Sequence, residues 1–236
     1  IGDEAMEKKI TKERIRNHFQ YAWWQYLTLA IAAIFGWSLI FTTTAYRPPA
    51  DKRFDVYFVT YSVPEETLNW FEKQIMGMFD DVEESDVMSI VCTPDDSYYG
   101  SMQMTTYMAA GQGDIYIMNS DRFNSLKSQE GFQPLDDAIA QGLIDLHGID
   151  VTAGKAKTEA GEVYIAAIPA ASLNKLKEYS VYNNDLYICI MSTSPNVDKA
   201  YTFVNWLIGE MYQEEEATEE AAPQTGTSSS GDMASY

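Results

Sequence analysis

Residues 21–41 contain no charged side chain, and this limits what the 236-residue chain can fold into more than any other feature. As a helix, a run of this length extends about 30 Å, which matches the hydrocarbon core of a bilayer. Trp23 and Trp24 lie toward one end and Trp37 toward the other, as is typical of aromatic rings at the two membrane interfaces. We therefore expect residues 21–41 to form a transmembrane helix.

The basic residues around this span predict its orientation. Those before the span outnumber those after it: Lys8, Lys9, Lys12, Arg14 and Arg16 against Arg47, Lys52 and Arg53. An excess of lysine and arginine marks the cytoplasmic side. Residues 1–20 are therefore predicted to be cytoplasmic, and the residues after the span are predicted to be extracellular. The sequence thus indicates a single-pass protein of a bacterial cell membrane, with its main domain outside.

The alternative is a cleaved signal peptide, since a basic region, an apolar run and then Thr43, Thr44 and Ala45 share some of its features. The apolar run continues to Phe41, beyond the usual length of such a region, and no cysteine follows that could carry a lipid. A retained anchor is therefore favoured. Under either alternative the rest of the chain is exported.

Charge and residue content restrict the chemistry of the exported part. A net charge of −19 argues against nucleic acid or anionic lipid as partners, because like charges repel. Cys92 and Cys189 lie far apart in apolar runs, which favours buried free thiols over a disulfide or metal site.

With His18 and His147 as the only histidines, and without a phosphate-binding or hydrolase motif, we predict no catalytic residue, metal or cofactor. The paired acids at 95–96 and 136–137 are interpreted as turn and cap residues.

Hydrophobic patterning predicts one domain at 54–209, joined to the anchor by a linker at 42–53 in which Pro48 and Pro49 cannot continue a helix. Three predicted strands alternate with helices: strands at 54–62, 87–93 and 114–119, helices starting at Pro64, near Met102 and at a Ser120 cap, the last closed by Gly131. This alternation favours parallel pairing with right-handed crossovers.

The later part of the domain is predicted to contain an amphipathic stretch to Leu146, a loop or hairpin at 155–162, and further strands at 163–168 and 186–191. The last helix is predicted at 197–208, with apolar residues on one side. From residue 210 onward the composition changes to acids, Thr, Ser and Gly, which predicts a disordered tail over 210–236.

Several segments, in their order, resemble the extracellular solute-binding proteins of ABC importers, particularly the sugar-binding type. These are 113–118 (GDIYIM) with Phe123 and Leu126, 131–137 (GFQPLDD), 161–169 (GEVYIAAIP), and 194–200 (SPNVDKA) with Phe203, Val204 and Leu207. The resemblance implies a strand that carries a ligand-facing loop, a strand that leads to a hinge, and a helix that returns to the first lobe. It covers most of 54–209.

The sequence departs from that family in one respect that affects function. Family members bind ligand in a cleft between two lobes, whereas here fewer than twenty residues separate Pro169 from the last predicted strand at Leu186. The predicted fold class is therefore α/β: a single-lobe, periplasmic-binding-protein-like three-layer sandwich with a mostly parallel sheet, preceded by one transmembrane helix.

A ligand site in an open parallel sheet lies beyond the carboxyl ends of its strands. The predicted site residues at those ends are Tyr61, Ser62, Thr93, Asp95, Asn119, Ser120 and Asp121. The alternative is that they are ordinary turn and cap residues.

The first functional hypothesis is a non-enzymatic, membrane-anchored binding or interaction module with membrane-protein partners, such as an accessory subunit of a surface complex or transporter. Without a closing lobe the binding face is shallow, which suits a protein partner better than a small molecule. The second hypothesis is a receptor for a small solute, such as a sugar or peptide, that completes its cleft with a partner subunit. For an enzyme, the third, no supporting constellation of residues is found.

Overall fold

The computed structural model describes residues 12–44, 46–92 and 98–213, with side chains from residue 23 onward. The chain divides into two units, one up to Arg47 and one from Pro48. The first contains helix α1, Lys12–Thr44, within which Trp23–Thr44 is long and apolar enough to cross a membrane by length and composition. Its large apolar side chains, among them Phe35 and Trp37, are exposed.

The second unit contains seven strands and five helices among the described residues. The strands are β1 Arg53–Thr60, β2 Glu84–Val91, β3 Ile115–Asn119, β4 Lys155–Lys157, β5 Val163–Ile165, β6 Ile168–Pro169 and β7 Leu186–Ile190. The helices are α2 Glu65–Met78, α3 Tyr98–Ala109, α4 Ser120–Leu126, α5 Asp136–Ala140 and α6 Val197–Met211.

The main sheet has the strand order β2-β1-β3-β7-β6. Strand β1 is central and pairs in parallel with β2 on one side and β3 on the other, while β7 runs antiparallel to both β3 and β6. Four of the five strands therefore point the same way, and the predicted parallel pairing of the first three strands is confirmed.

Apolar side chains of β1 alternate between two cores, one on each face of the sheet. Phe54, Val56 and Phe58 pack with α2 and α6 on one face. Tyr57 and Val59 pack on the other face, with residues of α3 and α4 such as Met104 and Phe123. The domain is thus the predicted three-layer α/β sandwich, with a sheet covered by helices on both faces.

Both cysteines lie in the core that includes α3 and α4. Cys92 is 2% exposed and Cys189 is fully buried, and the two thiols are free, as predicted. Burial raises the pKa of Cys92, an effect that Arg122 opposes, and burial raises the pKa of Cys189 well above its ordinary value. Both side chains therefore remain protonated and unreactive at neutral pH.

One predicted strand is wrong in its extent. The segment 163–168 is two strands: β5 pairs with β4 in a separate two-stranded hairpin, and β6 pairs with β7 in the main sheet. Between them, the amides of Ala166 and Ala167 both donate to the carbonyl oxygen of Gly154, at 3.0 and 3.1 Å. This local bonding interrupts the strand. The loop or hairpin predicted at 155–162 is a hairpin, but its second strand, β5, lies beyond residue 162.

The helix after β3 also differs from its prediction. Asn119 is the N-cap, not Ser120, because the Asn119 side-chain oxygen accepts from the amide of Arg122 at 3.1 Å. The helix ends at Leu126 and a 3₁₀ turn follows, closed by Glu130 in the left-handed conformation (φ 52°) rather than by Gly131.

Three other helices differ from their predictions in length. The amphipathic stretch to Leu146 is helical only as far as Ala140, and α3 begins at Tyr98, before the predicted start. Helix α6 continues past residue 209 to the buried Met211. Of the predicted tail, residues 214–236 lie outside the described part of the chain.

Candidate functional site

The carboxyl ends of β1 and β3 meet at one edge of the sheet, which we call the carboxyl edge. After β1 the chain enters α2 on one face, and after β3 it enters α4 on the other. In open α/β sheets, ligands bind at the point where adjacent strands send their connections to opposite faces. The predicted site residues that flank this point are Tyr61 and Ser62 after β1, and Asn119, Ser120 and Asp121 after β3.

The two residues after β1 are open to solvent. Strand β1 ends at Thr60, earlier than predicted, so Tyr61 and Ser62 belong to the loop before α2. Tyr61 is 54% exposed and Ser62 is also exposed. A half-exposed tyrosine offers both an apolar ring and a hydroxyl group, a combination that is common at binding surfaces.

The residues after β3 combine a structural role with exposure. The Asn119 side chain is used as the cap of α4, and the amide of Ser120 donates to the carbonyl of Asp185 at 2.9 Å. Asp121 is exposed in the first turn of α4. Asn119 therefore fits the turn-and-cap interpretation, whereas Asp121 is available to a ligand.

The remaining predicted residues, Thr93 and Asp95, lie outside the described residues. The last described residue before them, Cys92, donates its amide to the carbonyl of Thr60 at 2.9 Å, so the end of β2 is held against the end of β1. Exposed Val91, which lies opposite Thr60 in the β1–β2 register, adds an apolar side chain at this edge.

The opposite end of the sheet, the amino edge, carries a buried polar cluster that the sequence analysis missed. It consists of Asp55, Asp114 and Asn196, which are 4%, 5% and 4% exposed. Asp114 accepts from the amide of Asp55 at 2.8 Å, from the Ser194 hydroxyl, and from the Asn196 side chain at 3.1 Å. The cluster thus joins the starts of β1 and β3 to the start of α6.

The Asp55 carboxylate has a strongly perturbed pKa. Its two oxygens lie 2.9 and 2.8 Å from Nε of Arg53, and it also accepts from the amide of Asp86 at 3.1 Å. Burial raises the pKa of Asp55 to about 6, and the nearby Asp114 adds to this, although Arg53 opposes it. Burial also raises the pKa of the Tyr57 and Tyr116 phenols, which stay protonated beside it.

A cavity of about 210 Å³ opens beside this cluster, lined by Pro48, Ala50, Arg53, Asp55, Asp114, Pro195 and residues 110–113. The sequence signal that could have revealed this cluster is Asp55, a charged residue inside the apolar run at 54–60, because a buried carboxylate requires partners. Arg53 and the amide of Asp86 are the partners of Asp55, and Asn196 and Ser194 are partners of Asp114, all within the domain, which indicates a structural role. Among the described residues, no group of three His, Cys, Asp or Glu side chains could hold a metal ion.

No protein-family model and no curated protein matches the sequence. Solved structures show a partial likeness to the chain. An extracellular solute-binding protein of family 1 from Alicyclobacillus acidocaldarius has a TM-score of 0.39 and 12% identity, over 52% of this chain and 29% of that one. An ABC substrate-binding protein from Listeria monocytogenes, in complex with cycloalternan, has a TM-score of 0.33 and 16% identity, over 50% and 28%.

Both of these solved structures are solute-binding proteins. The chain spans less than a third of the length of either solved protein.

Proposed function

We propose that this chain is a membrane-anchored, non-enzymatic extracellular binding or interaction module, which engages a membrane-protein partner at the carboxyl edge, as an accessory subunit of a surface complex does. The observation that carries the proposal is the exposure of Tyr61, Ser62 and Asp121 at the point where the connections after β1 and β3 lead to opposite faces of the sheet.

The openness of this edge favours a protein partner over a small molecule. A pocket obtains affinity for a small ligand by burying about 70–90% of its surface, and side chains that stand half-exposed on an open face do not provide such enclosure. A protein partner instead covers the face from outside, and tyrosines at the centre of such contacts are frequent contributors to binding energy.

A pull-down of the full-length chain from detergent extract tests the partner. We expect Tyr61→Ala to reduce the captured partner by at least about tenfold, as loss of a central tyrosine costs on the order of 2 kcal/mol. Tyr46→Ala is the matched control, because Tyr46 is also exposed but lies outside the domain. Equal capture by the two variants would contradict binding at the carboxyl edge.

The proposed orientation places the domain outside the cell, and the apolar helix within Trp23–Thr44 supports an anchor. Protease added to intact cells should then remove the domain and leave the N-terminal segment protected. Intact mass of the untreated membrane form distinguishes a retained anchor from a signal peptide, since cleavage would give a mature end near Tyr46. A protected domain would reverse the proposed orientation.

The second candidate is a solute receptor that completes its cleft with a partner subunit. The exposed residues favour it because they lie where the connections after β1 and β3 lead to opposite faces of the sheet. Thermal-shift measurements of the full chain against peptides and sugars, cycloalternan included, separate the two candidates. A ligand at about 100 times its Kd stabilises the fold by about 2.7 kcal/mol. A shift with a small solute and no partner present would favour the receptor.

A further inference from the structure

Helix α3 presents apolar residues to solvent as well as to the core. Only Gly100 and Met104 of the helix are buried, whereas Tyr98, Tyr99 and Met102 are 71%, 72% and 56% exposed. Residues at positions 98, 102, 105, 106 and 109 recur at helical spacing and line a shallow groove. We call this outer face, centred on Met102 and Thr106, the α3 surface.

The α3 surface is uncharged in a strongly acidic chain. Residues 98–113 contain no Asp, Glu, Lys or Arg, although the chain carries 35 acidic and 16 basic residues. The other helices of the domain each carry charges, for example Glu72 and Lys73 in α2 or Asp198 and Lys199 in α6. An approaching molecule therefore meets no fixed charge on the helix itself.

This charge distribution selects among partners. A basic protein is attracted to the acidic surfaces and gains nothing from an uncharged one. A second copy of the chain is repelled by its own net charge of −19 over most of its surface. It can approach at the α3 surface with the least repulsion, and there it buries exposed rings and methionine side chains.

The size of the surface sets the strength of such a contact. An aromatic side chain offers about 150–250 Å², so Tyr98, Tyr99 and Met102 at their exposed fractions present roughly 400 Å². This is in the range of functional patches, about 300–600 Å², but below the roughly 800 Å² per partner of a stable complex. The contact is therefore weak in free solution, and confinement to one membrane raises the effective concentration of the two copies.

We propose that the α3 surface is where the domains of two copies of this chain, anchored in the same membrane, pack against each other. Two α3 helices related by a twofold axis place Met102 and Thr106 of one copy near the same residues of the other. The α3 surface begins close to the carboxyl edge, since Gly100 packs on Val91 at the end of β2, but Met102 and Thr106 lie further along the helix. The contact depends on the proposed anchor for its strength.

Cysteine crosslinking of the full chain in its own membranes tests this proposal. The native thiols are buried, so Thr106→Cys adds an exposed thiol at the centre of the surface and Met76→Cys adds one on α2, where Met76 is 40% exposed. With copper phenanthroline as oxidant, we expect covalent dimer to form at least about tenfold faster with Thr106→Cys, because a disulfide requires Cα atoms within about 7 Å. Equal rates, or no dimer, would overturn the proposal.

A charge introduced into the α3 surface provides a second test of the contact. Adding Met102→Glu to Thr106→Cys should lower crosslinking to the Met76→Cys level, since each carboxylate would face its counterpart. Adding Met76→Glu instead, which changes the net charge equally, should leave crosslinking unchanged. Circular dichroism of both purified variants checks that α3 and α2 remain folded. Identical effects of the two substitutions would count against a local contact.

Ionic strength distinguishes a second copy from a basic partner. Raising salt from about 0.05 to about 0.5 M screens the repulsion between copies, so dimer formation should increase, whereas an interface held by opposite charges weakens. A decrease would overturn the proposal. Fractionation of the same membranes reports separately whether the anchor is present, so failure of the anchor and failure of the contact are told apart.

Discussion

Asp55 is a carboxylate in β1, an interior strand of the sheet, with 4% of its surface exposed. Arg53, the amide of Asp86 and the Tyr57 hydroxyl, the last at 3.5 Å, surround it and provide hydrogen bonds to its ionised form. Burial nevertheless outweighs these contacts and raises its pKa from 3.8 to about 6. At neutral pH the domain therefore holds an ionised group whose environment favours the protonated form.

This pKa fixes the sign of a pH dependence. The folded state keeps the Asp55 proton to higher pH than the unfolded state, so the contribution of Asp55 is most favourable below about pH 4 and declines as pH rises through about 6. One pKa unit corresponds to about 1.4 kcal/mol. Between pH 4 and pH 7 we expect the unfolding free energy to fall by about 2–3 kcal/mol relative to Asp55→Asn, which does not titrate. Urea denaturation of both proteins at several pH values measures this difference, and parallel curves would contradict it.

At this scale the sequence predicts that a buried acid needs partners, but it does not identify them. Arg53 is a near neighbour in the chain, whereas Asp86 and Asp114 approach only because β2 and β3 both pair with β1. The same limit explains why Ser120 was predicted as a cap and Asn119 was not. Both residue types are good caps, and only the end of β3 determines which of them precedes the helix.

Among the elements, the close packing of α3 on the end of β2 depends on a residue without a side chain. A Cβ atom on Gly100 would lie 2.1 Å from the carbonyl oxygen of Val91 and 2.6 Å from Sγ of Cys92. A Cβ atom on Gly77, a helical glycine in α2, would meet nothing within 4 Å. The two glycines have the same helical backbone but different surroundings.

We therefore expect opposite effects from the same substitution. Gly100→Ala should destabilise the domain by about 1–3 kcal/mol, because the helix must move away from β2. Gly77→Ala should stabilise it by about 0.5–1 kcal/mol, through the higher helix propensity of alanine. Thermal unfolding of the two variants beside the unchanged chain gives both values. Stabilisation by Gly100→Ala would mean that α3 does not pack this closely.

Periodicity predicted elements with one clear apolar face, such as α2 and α6, and the three strands of buried β-branched and aromatic residues. Periodicity failed where contacts between distant segments of the chain determine the bounds of a strand. The division of 163–168 into β5 and β6 depends on Gly154, whose backbone approaches so closely that a Cβ there would lie 1.9 Å from the carbonyl oxygen of Ala167. No local pattern contains that contact, since residues 154 and 167 belong to separate segments.

At the scale of the molecule, the part of the chain from Pro48 is one compact unit with one main sheet. Residues 170–185 connect β6 to β7 through a short 3₁₀ helix, Asn174–Tyr179, that packs on the core with α2 and α6. The sequence indicated a single lobe because this connection is short. It did not indicate that β7 is antiparallel, since antiparallel pairing is a property of the assembled sheet.

Small-angle scattering of residues 48–213 at low concentration should show a single globule. For about 166 residues a compact domain has a radius of gyration of about 15 Å. Because residues 48–92 and 98–213 form one unit around one main sheet, with no second lobe among them, we expect this radius to stay unchanged in the presence of sugars or peptides. A ligand-dependent contraction, or a submillimolar affinity of the monomer for a small solute, would contradict the interaction module and support the receptor.

The segment that enters the domain leads directly into the central strand. Hydrogen bonds from the start of α6 fix this segment. The Asn196 side chain donates to the carbonyls of Ala50 and Arg53 at 3.0 and 2.7 Å, and the Lys199 ammonium group donates to the carbonyl of Asp51 at 2.6 Å. A pull exerted between the proposed anchor and a proposed partner at the carboxyl edge would run along β1, whose hydrogen bonds to β2 and β3 lie across that direction. These bonds would be loaded together in shear rather than opened one after another, so β1 would resist such a pull with all of them at once.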